Sequence, residues 1–295
     1  MQQAFDPLVV AQIVLAAGAD IAFAFAMGAV LIGAGSGGSE RLRIVRTALA
    51  AWIVVGALYL PLQASAMSGS TLADALPAIP LVIAHSHFGL MWLIGMAAGI
   101  TALFATIAPR PAHPRAVWTT VLQAALVVVA FAHAASTHAA DAGDFSVAEL
   151  VHMVHLLATA GWAGVVITAA WPLRRILTAG PDAAANMTRL SNVATCTFLI
   201  AIATGLMNAY RGLGGTLAPL TSSLWGQLLE AKVIIVAVAI AIGAINRFVH
   251  LRHMRAGNPA ALPAFMRLLT MEAVLLVLVL AVAATLGHSI PAATG

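Results

Sequence analysis

Charge is scarce in this sequence. Asp, Glu, Lys and Arg make up 8% of its 295 residues, while hydrophobic residues make up 62%. About a quarter of a soluble domain is charged. This chain has too little polar surface to cover itself in water, and a bilayer is the solvent that fits. Cysteine is scarcer still. Cys196 stands alone inside an apolar run, which excludes a disulfide framework or a CxxC metal motif and predicts a small buried hydrophobe. No Lys or Arg precedes the first apolar run in MQQAFDP, where a secretory signal would carry a basic region, so that run is expected to stay as a helix. No Walker A pattern is present, and no stretch outside the apolar runs is long enough for a soluble domain. An ATP-driven pump is therefore excluded for this chain alone. No nucleophile–base arrangement recurs, and the sequence predicts a protein that is not an enzyme.

What is present is a series of apolar spans, near 8–33, 46–68, 86–107, 116–138, 147–171, 190–209, 225–248 and 267–287. Each is long enough to cross roughly 30 Å of hydrocarbon at about 1.5 Å per residue. The gaps carry Gly and Pro, as in GAGSGGSE, APRPAHP, TAGPD and AGNPAALP, the residues that end helices. The expected fold is all-α, a polytopic transmembrane bundle of about eight helices. It forms a single membrane domain over 1–295, with helices 1–4 in 1–140 and helices 5–8 in 141–295.

The net charge of +4 is an orientation signal and not a nucleic-acid surface. Arg41, Arg43, Arg46, Arg110, Arg115, Arg174, Arg175, Arg189, Arg247, Arg252, Arg255 and Arg267 fall in alternate loops, leaving Arg211 and Lys232 from the total of 14 basic residues. The positive-inside rule makes the arginine side cytoplasmic. An even number of spans then puts both termini in the periplasm of an inner-membrane protein. A parallel internal repeat is suggested by HSHFGLMW and SSLWGQLL, which align Phe88-Gly89 with Trp225-Gly226 four helices apart.

Histidine is the informative residue. His113, His250 and His253 lie beside arginines and read as loop polar residues. The other seven, His85, His87, His133, His138, His152, His155 and His288, all map to the outer side, from four helix ends. Neutral imidazole is the commonest protein metal ligand. A single such His is as readily a polar helix end, but the one-sided distribution points to a metal. His152 and His155 share a helical face at i, i+3, and Trp162 continues that face. Met153 is a soft thioether beside them that can assist Cu(I) or fill gaps. Charges inside spans are costly and mark functional or structural pairs. These are Asp20, Glu230, Lys232 and Glu272, with Lys232 expected to pair with Asp20 or Glu230 across a contact between helices 1 and 7.

HMVHLLATAGWAG, TGLMNAYRGL, LWGQLLEAK and AINRF in the second half, with DIAFAFAMG and HFGLMW in the first, resemble the copper resistance protein D family, of the CopD and PcoD type. The resemblance implies an inner-membrane protein that handles copper ion, Cu(I) or Cu(II), usually taking it from periplasm to cytoplasm beside a periplasmic copper-binding partner of the CopC type. It carries over His152, His155, Trp162, Asn208, Lys232, Asn246 and Arg247 as the positions that matter. Gly95 stands where the family commonly has a basic residue, and His133, His138 and His288 lie outside the family pattern. Two other functions fit the same residues. Outer-face histidines on facing helices can hold a b-type haem for electron transfer, or the chain is a metal-free assembly subunit.

Overall fold

The computed structural model describes residues 6–33, 38–107, 115–137, 143 and 145–290. Among these there is no strand, and eight helices are long and apolar enough to cross a membrane. They are α1 (Pro7–Leu31), α2 (Gly38–Ser68), α3 (His87–Ile107), α4 (Arg115–Ala134), α5 (Val147–Ala170), α6 (Ala183–Gly212), α7 (Leu224–Ile245) and α8 (Ala261–Gly287). α7 runs on through a π turn at Asn246–His250 into Leu251–Arg255.

All eight expected spans are present, and several helices outrun them. α2 and α6 each begin about two turns before their apolar runs, taking in Arg43 and Arg189. Hydropathy marks the part of a helix that meets lipid, whereas the backbone ladder continues into the polar headgroup layer. Helix starts follow local chemistry. Asp6 accepts from Leu8 N at 2.9 Å with Pro7 in the first turn. At α5, Ser146 accepts from Glu149 N at 3.2 Å while the Glu149 carboxylate accepts from Phe145 N at 2.6 Å, a variant of the capping box in which the carboxylate reaches the N–H one residue before the N-cap.

The core is built on α1 and α5. α1 packs on α2, α5 and α8; α5 packs on α1, α4, α6 and α8; α3 bridges α2 and α4; α7 leans on α8. α1 and α5 cross backbone to backbone. A β-carbon added at Gly28 would lie 2.0 Å from the Gly164 carbonyl oxygen, and one added at Gly164 would lie 2.1 Å from that of Ala24. Small residues permit such crossings, and lipid-embedded helices use them because dispersion contact must replace the missing hydrophobic drive. α6 and α7 are peripheral, with Leu199, Leu206, Val233 and Ile234 exposed. Cys196, expected to be buried, is exposed on α6, because in lipid an apolar run need not face the core.

The repeat suggested by Phe88-Gly89 and Trp225-Gly226 has a structural counterpart. Before α3 a short helix, Ile79–His85, ends at Ser86; before α7 a short helix, Pro219–Ser222, ends at Ser223. Ser86 Oγ donates to Val82 O and accepts from Gly89 N, and Ser223 Oγ does the same with Pro219 O and Gly226 N. Each Gly sits against the short helix, where a β-carbon would meet the Val82 or Pro219 carbonyl oxygen at 2.2 or 2.1 Å. The same joint opens the third helix of each half, in parallel orientation.

Candidate metal-handling site

α5 carries His152 and His155 one turn apart, and their nearly parallel rings have centroids 6.3 Å apart. α6 supplies their hydrogen-bond partners. His155 Nδ1 lies 3.0 Å from the Ala201 carbonyl oxygen and 3.2 Å from Thr204 Oγ1. A carbonyl only accepts, so His155 donates from Nδ1 and its neutral ring presents the Nε2 lone pair. Metal-binding histidines are oriented in this way, with the second nitrogen held by a carbonyl or carboxylate. The ring lies on Gly205, where a β-carbon would come within 3.0 Å of it. His152 Nδ1 is 3.2 Å from the Asn208 amide. Two imidazoles bonded in line to one ion at about 2 Å have centroids roughly 6 Å apart; for His152 to join His155 through Nε2, the Asn208 amide must turn its oxygen toward Nδ1–H.

The chain's single lysine, Lys232 on α7, acts electrostatically on His152, His155 and Asp20. Among the described residues it makes no ion pair within 4.0 Å. Asp20 instead has His133 of α4 beside it, with Nδ1 and Oδ1 3.7 Å apart. The expected direct Lys232–Asp20 pair across a contact of helices 1 and 7 is therefore not what forms. α7 packs on α8, and the two charges face each other at longer range. Glu230, the other proposed partner, is exposed.

The remaining histidines are distributed and not gathered. His85 and His87 are exposed, and His87 Nε2 lies 2.9 Å from the Ala135 carbonyl oxygen at the end of α4. His133 reaches Asp20 and acts on His152. His288 joins a polar chain that the sequence did not reveal: its Nε2 is 3.0 Å from the Tyr59 hydroxyl, Tyr59 donates to Gln63 at 3.3 Å, and buried Gln12 donates to the same Gln63 oxygen at 2.9 Å. His138 lies outside the described residues. Among the described residues, no three His, Cys, Asp or Glu side chains stand close enough to hold a metal ion. The pair on α5 is thus the compact feature, without His85 and His87 beside it. Met153 packs half-buried against the core, a gap-filling position.

At the arginine end the family positions have structural partners. Buried Trp162 stacks at a tilt on Phe198 with centroids 5.6 Å apart, and its indole is within hydrogen-bonding reach of the Glu272 carboxylate. Asn246 donates to Phe265 O at 3.2 Å. Arg247 ties α7 to α6 through Ser191 Oγ at 2.8 Å and Asn192 Oδ1 at 3.1 Å.

Comparison with known proteins adds to this geometry. Residues 4–147 match the family model described as copper resistance protein D-like, N-terminal domain, and residues 184–286 match that of copper resistance protein D. The chain is also 23% identical over 225 residues to the inner membrane protein YebZ of Escherichia coli (strain K12), covering 76% of each chain. No solved structure matches.

Proposed function

Because the chain belongs to the copper resistance protein D family, we propose that it carries copper across the inner membrane, inward from the periplasm, and that His152 and His155 receive the ion. The observation that carries this reading is the His155 Nδ1 contact with the Ala201 carbonyl at 3.0 Å, which leaves Nε2 of a neutral ring free beside His152. Imidazole and thioether ligands suit copper, and two closely spaced imidazoles, with no third ligand beside them among the described residues, suit the low coordination of Cu(I). The arginine end faces the cytoplasm, and the histidine end faces the periplasm with both termini. Arginine offers no ligand at cellular pH and repels cations, so ions are held at one end only. The membrane potential, negative inside, favours any uncompensated cation entry by about 2.3 kcal/mol per charge per 100 mV, and inward movement needs no ATP. Copper is the cargo. The donor at the periplasmic face is a soluble copper-binding protein of the CopC type.

Copper analysis of the purified protein tests the site. Replacing both His152 and His155 by Ala should reduce bound copper about tenfold or more, the order expected when ligands are lost. Unchanged copper in the double variant would sink the assignment. A Soret band in the purified protein would favour haem between these histidines instead.

A further inference from the structure

Glu272 lies on α8 with 5% of its surface exposed, and the copper site does not use it. The bundle is shaped around its carboxylate. Facing it on α7 is Gly243, where a β-carbon would stand 3.1 Å from Oε1 and 3.4 Å from Cδ, so an absent side chain makes the room. From α5 the Trp162 indole lies close to it. One turn beyond Gly243, on the same face of α7, Asn246 is 3% exposed. Its amide nitrogen is satisfied by Phe265 O, but its Oδ1 is buried with no donor among the described residues. A buried acceptor without a donor asks for an unseen water or ion. α7 leaves regular α geometry at this residue, in the π turn Asn246–His250, a distortion frequent at functional sites.

Among the described residues no side chain pairs with the Glu272 carboxylate within ion-pair distance. Arg247 is turned to Ser191 and Asn192, Arg255 to Thr188, and Arg267 is exposed. Lys232 lies about 16 Å away along α7 at about 1.5 Å per residue. A carboxylate in this setting is tolerated when a proton or a cation neutralises it. One carboxylate and one amide oxygen are too few hard ligands for a metal ion and are unsuited to soft Cu(I). They suit a proton held on the carboxyl group, with Asn246 Oδ1, one turn along the facing helix, as the buried acceptor still without a donor.

We propose that Glu272 and Asn246 form a proton-binding site at the α7–α8 interface, and that copper passing inward is exchanged for this proton. This rests on the copper-transport reading above. Trp162 lies between the two sites, standing two turns from His155 on one face of α5 and close to Glu272. In the exchange the carboxyl O–H bond breaks and the proton is released outward as copper passes; a one-for-one exchange moves no net charge, so the copper gradient drives it and the membrane potential does not. The carboxylate then takes a proton from water at the arginine end.

Protein reconstituted in vesicles, with an internal Cu(I) indicator and an internal pH dye, tests this together with infrared spectra of the wild type and Glu272→Gln. The wild type should move copper inward and protons outward. Glu272→Gln should keep copper bound at the histidine end, lose the proton movement and slow copper entry at least tenfold, and Glu272→Asp should restore part of both. Copper entry without proton movement, or proton movement that survives in Glu272→Gln, would overturn the coupling and leave copper transport standing. If the wild type moves no copper, the transport reading fails, and the spectra decide the site separately. A carboxylic C=O band that titrates with pH and vanishes in Glu272→Gln supports the proton site, and its absence from the wild type refutes it. Gly243→Ala, which crowds the carboxylate without removing it, should shift that band, guarding against a variant that fails to fold.

Discussion

At the residue scale, the account turns on groups that hold one another across helices. His152 and His155 were legible as a pair because i, i+3 places them on one face. Their partners were not, since Ala201 and Asn208 lie 46 and 56 residues away in sequence and no local pattern links them. The charges behave similarly. Lys232 and Asp20 stand out in the sequence because ionisable residues in a span are costly, yet their distance and the approach of His133 to Asp20 depend on which helices pack. Lys232→Met should leave Asp20 without its cation and lower the melting temperature in detergent. Adding Asp20→Asn should recover part of that loss, because an unpaired buried charge costs more than a matched pair removed together. A double variant no more stable than Lys232→Met would show that the two charges do not compensate each other.

At the element scale, the helices were legible from hydropathy and the crossings were not. Nothing in a run such as FAFAMGAV says that Gly28 will meet Gly164, because small-residue faces recur in many membrane helices. The structure puts both glycines at a backbone contact, so Gly164→Ala should force α1 and α5 apart. Overpacking typically costs about 1–3 kcal/mol, and a clash with a carbonyl oxygen belongs at the upper end. Thermal unfolding of Gly164→Ala beside a lipid-facing control such as Leu206→Ala checks this, and equal stability would contradict the crossing. The joint at Ser86 and Ser223 was half legible. The aromatic-Gly pair was visible four helices apart, whereas the short helix before it was masked by its four-to-seven-residue length. Ser223→Ala removes the oxygen that caps Gly226 N, and a lost cap costs about 1 kcal/mol.

At the scale of the whole molecule, the arrangement separates two chemistries. Imidazoles lie at the end where α5 begins, and arginines, with a buried carboxylate just inside them, lie at the other. That division was legible because loop charge and histidine placement both read directly along the chain. How far the histidines converge was not, and the structure resolves them into an α5 pair, an Asp20–His133 contact and a His288–Tyr59 contact. Reporter fusions after Gly295 and near Gly143 should both give periplasmic activity, and a cytoplasmic signal from either would reverse the map. Inward copper movement is the central claim. Its most direct measurement is cytoplasmic copper in cells that lack other copper transporters and express either this protein or the His152→Ala, His155→Ala variant at equal level. The wild type should raise cytoplasmic copper and copper sensitivity while the variant stays near the empty-vector level. Cytoplasmic copper that falls on wild-type expression would contradict the account and make the histidine end an exit.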